Sequence, residues 1–180
     1  MDRFRSNKQM ANGKWQMGYL LIESMLAITV ILVGLLGIFS LLSQSLSLNR
    51  VIADRYVASY LAGEGLEVVK NIIDNNVLAG NPWNSGLSAG KYQFDYAADE
   101  VGTDCGASCT QDFYFDANKK VYSYTANDQK TNFNRIIFLE PLVDKSGLAQ
   151  AIKVNSIINW PARGGGRFTI NLEDHFYNYR

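Results

Sequence analysis

Gly18-Tyr19-Leu20-Leu21-Ile22-Glu23 opens an apolar run, and from Ser24 to Leu48 the chain carries no charge. The segment Met25 to Leu42 alone supplies 18 mostly apolar residues, about 27 Å of helix at 1.5 Å per residue. With its flanks the run is long enough to span a bilayer. Before it, residues 1–18 hold Arg3, Arg5, Lys8 and Lys14 against Asp2, without a helical or strand period. A basic leader stays in the cytoplasm by the positive-inside tendency, which puts the C-terminal part across the membrane.

A cleaved secretory signal is the competing reading of this segment. Its apolar region runs about 7–15 residues and ends in a small-residue site. Here the run is longer and no Ala-x-Ala follows. Gly34 and Gly37 permit close approach of helices in lipid, and glycine is also simply common in membrane helices. Glu23 is harder to explain as structure. An ionised carboxylate near the end of a lone spanning helix stays by the headgroups at modest cost, but inside a bundle of apolar helices it needs a partner. An acid complementing a helix N-terminus is the plainer alternative; it accounts for Glu23 and leaves the glycine and the leader unexplained.

The stretch Gly18-Tyr19-Leu20-Leu21-Ile22-Glu23 resembles the type IV prepilin motif, usually Gly-Phe-Thr-Leu-Ile-Glu at the leader junction. The resemblance implies a cut between Gly18 and Tyr19 by a membrane-embedded prepilin peptidase, which also N-methylates Tyr19, the new first residue. Glu23 then becomes the fifth residue of the mature chain and the partner of an N-terminal amine, its own or a neighbour's. An α-amino group is largely protonated near neutral pH, and this amine exists only after cleavage. Tyr19 stands for the usual Phe and Leu20 for the usual Thr or Ser. Ser40 lies near the place where major pilins often carry a proline.

Beyond the apolar run, Val57, Leu61, Gly65, Val68 and Ile72 recur at spacings of 4, 4, 3 and 4, one face of a helix. Arg50, Asp54, Arg55, Glu64, Glu67 and Lys70 fall largely off it, so Glu64 and Glu67 are expected to be solvated rather than paired for acid–base work. One helix from about Tyr19 to Asp74, on the order of 80 Å long, is predicted. Asp74-Asn75-Asn76 and Gly80-Asn81-Pro82 end it. Leu61-Ala62-Gly63-Glu64-Gly65-Leu66-Glu67-Val68 resembles the Ala-x-Glu-Gly-(Leu/Ile)-Glu stretch after the membrane helix of minor pilins and pseudopilins.

After Pro82 the period changes to two. Tyr92, Phe94 and Tyr96 alternate with Gln93 and Asp95. Phe113-Tyr114-Phe115 and Val121-Tyr122-Ser123-Tyr124 flank the turn 116–120. Arg135 to Leu139 forms a strand expected to stop at Pro141. Ile152, Val154, Ser156, Ile158 and Trp160 share a face, as do Phe168, Ile170 and Leu172 after a turn from Pro161 to Gly166. An antiparallel meander with one apolar face results, suited to cover the helix stripe.

The chain has 180 residues and zero formal charge. Beyond residue 18, 13 bases face 16 acids, a net of −3, which argues against broad nucleic-acid binding. Cys105 and Cys109 are the only thiols and are expected to form a local disulfide outside the cytoplasm. With a single histidine, His175, there is no Cys/His metal set. His175 has no evident partner and reads as a packed or surface residue. Asp95, Asp99, Glu100 and Asp104 match no EF-hand spacing and read as a solvated loop. Gly164-Gly165-Gly166 lacks the Gly-Lys-Ser/Thr of a phosphate loop.

The expected fold is therefore α+β: a long N-terminal helix, transmembrane in one half and amphipathic in the other, on a small antiparallel sheet, the ladle of pilins. Residues 1–18 would be leader, 19–48 the transmembrane and assembly helix, 49–78 its amphipathic continuation and 79–180 the β head. The resemblance implies a minor pilin or pseudopilin of a type IV pilus or type II secretion-like filament, without catalysis, cofactor or metal. Its partners would be the prepilin peptidase and N-methyltransferase, membrane lipid, and other subunits through the N-terminal helix. It would sit in the inner membrane by a single pass, its head extracytoplasmic, and in the filament after assembly. The competing class is a single-pass membrane-anchored binding or sensor domain that keeps its leader.

Overall fold

The structure is a computed structural model that describes residues 3–126, 129–145, 147–162 and 165–178, with side chains from residue 19 onward. It divides into two units, Met1–Ile52 and Ala53–Arg180. Helix α1 (Arg3–Leu78) makes up the first and opens the second. The leader's sequence shows no helical or strand period, yet its backbone from Arg3 is helical. Residues 1–18 include Met, Ala, Lys, Arg and Gln, good helix formers by intrinsic preference.

In the second unit, seven strands follow α1 among the described residues: β1 (Gly90–Tyr92), β2 (Tyr114–Asp116), β3 (Val121–Ser123), β4 (Gln129–Lys130), β5 (Asn134–Val143), β6 (Ala149–Pro161) and β7 (Arg167–Tyr177). All pairs are antiparallel, in a four-stranded sheet ordered β1-β5-β6-β7 and a three-stranded sheet ordered β3-β2-β4. The chain is thus α+β, with a long apolar N-terminal helix and antiparallel sheets. The meander from β5 to β7 follows the alternation in sequence. The second sheet was not foreseen as a separate body.

Three boundaries differ from expectation. Tyr92 and Phe94 are buried as expected, but Tyr96 is exposed and β1 ends at Tyr92. Gln93 Nε2 donates to the carbonyls of Gln111 (3.0 Å) and Arg135 (2.9 Å), and the Phe94 carbonyl accepts from Arg135 Nη2 (2.9 Å), so side chains take the place of the ladder. Strand β5 continues through Pro141 to Val143. It can do so because β1 reaches only to Leu139, leaving Pro141 with β6 as its one neighbour; a proline is tolerated where a strand has a free edge. Helix α1 runs to Leu78, beyond the expected Asp74, and Gly80 at φ +76° lets the chain turn away. Asn76 Nδ2 holds that exit by donating to the Ser85 carbonyl at 2.9 Å.

The hairpin at 116–120 forms as its composition predicts. Asp116 Oδ1 accepts from the backbone N–H of Asn118 (2.8 Å) and Lys119 (3.0 Å), and Lys120 takes φ +57°. Those amides hold the Asp116 carboxyl below its ordinary range, Lys119 contributing most. Of the Gly164-Gly165-Gly166 turn, Gly164 lies outside the described residues, and Gly165 sits at φ +93°.

Two apolar clusters fasten the opening helix of this unit to the four-stranded sheet. Val68, Val69 and Ile72 pack with Ile137, Leu139, Ile152 and Val154. Ala58, Leu61 and Ala62 pack with Phe113, Phe133, Ile158 and Trp160. The predicted stripe is therefore right in direction, but Ala58, Ala62 and Val69 extend it, and Val57 is only half-buried. At Gly65 the backbone approaches closest. A Cβ built there would lie 2.6 Å from Ile137 Cδ1 and 2.6 Å from Ser156 Oγ.

Candidate processing and assembly site

From Tyr19 to Arg50 every residue is exposed. One helix near the N-terminus is long and apolar enough to cross a membrane. Leu20, Ile22, Leu26, Ile31, Leu36 and Phe39 are each more than half exposed, a surface that water does not tolerate and that lipid or other apolar helices can cover. Its hydroxyls suit such surroundings. Ser24 Oγ donates to the Leu21 carbonyl (2.9 Å) and Thr29 Oγ1 to that of Leu26 (2.8 Å), so neither needs water.

Gly18 and Tyr19 are consecutive within α1, so the bond between them is helical. Glu23 follows one turn later, exposed, with no ion-pair partner among the described residues. Gly34 and Gly37 have open space at their Cβ positions and offer a flat strip to another helix.

The second unit holds a different kind of centre. Arg135 is fully buried, and its Nη1 donates to the Leu61 carbonyl at 3.0 Å and to Glu64 Oε1 at 2.8 Å. Its guanidinium lies 4.8 Å from the centre of the Phe113 ring. Glu64 is thus not a freely solvated acid, which corrects the expectation for it, whereas Glu67 is exposed and only 4.0 Å from Lys70 Nζ. The signal for Arg135 was present. It shares strand parity with Phe133, Ile137 and Leu139, all inward, and a lone arginine in that row needs buried acceptors. Beside it, burial pushes the Tyr124 phenol up to about 12, with Arg135 pulling the other way.

The remaining sequence candidates separate. Cys105 and Cys109 are joined by a disulfide, Cα atoms 5.3 Å apart. Asp104 closes that loop by accepting from the N–H of Gly106 (2.8 Å) and Lys91 (2.9 Å), which hold its carboxyl below the ordinary range. Asp95 Oδ1 accepts from the Tyr96 N–H. His175 does have an acid neighbour, contrary to expectation: Nε2 lies 3.3 Å from Glu173 Oε1, at ion-pairing rather than hydrogen-bonding geometry. Glu173 is itself held below its ordinary range, chiefly by Asn155 Nδ2 at 2.8 Å. No group of three metal-ligating side chains occurs among the described residues.

No protein-family model, curated protein or solved structure matches this chain.

Proposed function

We propose that the chain is a structural subunit, a minor pilin or pseudopilin, of a type IV pilus or type II secretion-like filament. It is held in the inner membrane with its leader cytoplasmic and its head extracytoplasmic, and takes the pilin-like ladle fold. The observation that carries this reading is the junction itself: a basic leader, Gly18, Tyr19, and Glu23 at the head of an apolar helix exposed throughout. A prepilin peptidase cuts after Gly18 and methylates Tyr19. Glycine eases the local unwinding that a peptidase needs, being about 1 kcal/mol worse than alanine in a helix. The freed amine then pairs with Glu23, so that only processed chains bring a compensated charge into an apolar bundle. The chain is a substrate of an enzyme, with no catalysis of its own.

Mass spectrometry of the mature N-terminus tests the processing step. A chain beginning at N-methylated Tyr19 is expected. An intact Met1 in cells holding the peptidase would overturn the reading and favour a membrane-anchored binding or sensor domain. Glu23→Ala is expected to insert and fold normally yet enter filaments poorly; normal incorporation removes the role given to Glu23.

A further inference from the structure

Register places Asn134 on β5, Asn159 on β6 and Thr169 on β7 in one row across three strands. Alternation puts that row on the sheet face opposite Ile158 and Trp160. The loop 109–112 runs beside it. It begins at the disulfide and is fastened by Asn134 Nδ2 donating to the Gln111 carbonyl (2.6 Å) and by the Gln111 N–H donating to Gln93 Oε1 (3.2 Å). A cavity of about 300 Å³ opens here, lined among others by Thr110, Asp112, Asn132, Asn134, Asn159 and Arg167.

Each of the two paired asparagines uses one end of its amide within the protein. Asn159 Oδ1 accepts from Thr169 Oγ1 at 2.8 Å, which leaves its Nδ2 donors for a ligand. Asn134 uses Nδ2 on the loop, which leaves its Oδ1 as an acceptor. A free donor and a free acceptor on directly opposed strand residues, about 5 Å apart at Cβ, match neighbouring hydroxyls, each of which both donates and accepts. Asn132 adds an exposed amide with no hydrogen bond of its own among the described residues. Asp112 is paired with Lys130 Nζ at 3.3 Å and Arg167 is exposed to water, so amide hydrogen bonding rather than charge dominates the lining. Ile136 and Pro161 complete the wall with apolar surface, which a sugar's C–H face can cover. The size is at the lower end for small-molecule sites.

We infer that this cavity is a binding site for a neutral sugar unit, presented by a glycan on the same side of the membrane as the head. The inference stands on the head alone and does not depend on filament assembly.

Saturation-transfer NMR on the full chain in dodecylphosphocholine, a sugar-free detergent, tests it with chitotriose and maltotriose, and with sialyllactose as the anionic control. Transfer from one or both neutral trisaccharides is expected. Asn159→Ala and Asn132→Ala should each weaken it about tenfold, the loss that goes with one ligand hydrogen bond. Asn132 makes no hydrogen bond among the described residues, so its variant separates binding from folding, and an unchanged urea midpoint checks this. Absence of transfer, transfer indifferent to both variants, or preference for sialyllactose overturns the proposal.

Discussion

Replacing Gly65 by alanine should loosen the helix from the sheet, while the same change at Gly63, two residues away, should strengthen the protein. At Gly65 the new Cβ would stand 2.6 Å from Ile137 Cδ1 and Ser156 Oγ and 3.2 Å from Arg135 Cδ. Ordinary carbon contacts lie at about 3.5–4.0 Å, so the helix and strands must part by roughly 1 Å. Ile137, Ser156 and Arg135 are all fully buried and cannot swing into solvent. Overpacking of this kind costs about 1–3 kcal/mol. Parting the elements also stretches the bonds from Arg135 to Leu61 and Glu64, adding roughly 1 kcal/mol. Alanine returns about 1 kcal/mol in helix preference. The net is a loss of about 2 kcal/mol. At Gly63 nothing lies within 4 Å of the Cβ position, so only the helix preference remains, a gain of up to about 1 kcal/mol. Urea unfolding of the full chain in micelles, followed by the change in tryptophan fluorescence as Trp83 and Trp160 become exposed, should separate the two midpoints by about 1 M or more. Equal midpoints, or a more stable Gly65→Ala, would refute the close approach.

Glu64→Ala should cost about 1–3 kcal/mol, because it removes the one anionic acceptor of Arg135 among the described residues while two carbonyls remain. Glu64→Gln, which keeps an acceptor oxygen, should cost less, and an equal loss in both would point to packing rather than to the ion pair. Asp104, Asp116 and Glu173 are all held below their ordinary ranges. Their stabilisation is present above the unfolded values and is lost as pH falls through the folded ones, below about pH 4. Asp116→Asn should flatten that acid limb of the urea midpoint, and an unchanged limb would count against the turn. For Tyr124 the sign reverses: its contribution is full below the unfolded value and is lost as pH rises from about 10 to about 12, which Tyr124→Phe should abolish in an alkaline titration. Replacing both Cys105 and Cys109 by serine should cost about 2 kcal/mol in the chain-entropy model for so short a loop, read as a lower urea midpoint.

Local pattern was enough wherever one residue's environment follows from its neighbours in sequence. An uncharged run from Ser24 to Leu48 specifies a helix long and apolar enough to cross a membrane, because a helix satisfies its backbone hydrogen bonds within itself. Alternation at 152–160 and 168–172 set the strand faces, and Asp116 with its following residues set the hairpin, since period and turn chemistry are short-range. What these patterns could not supply was which strand meets which face at what distance. Glu64 looks solvated on a helical wheel and is drawn into an ion pair only because β5 brings Arg135 beneath it, 71 residues away in the chain. Pro141 looks like a strand end and is not, because β1 happens to stop short of it. Gly65 looks like one more small residue, and tertiary contact makes it the place where nothing larger fits. The row of Asn134, Asn159 and Thr169 likewise exists only in the paired sheet. Sequence by itself determined the membrane-competent helix and the two-residue period of the head. Packing decided the buried cation and the cavity, because both depend on atoms that meet only after strands distant in sequence have been set side by side.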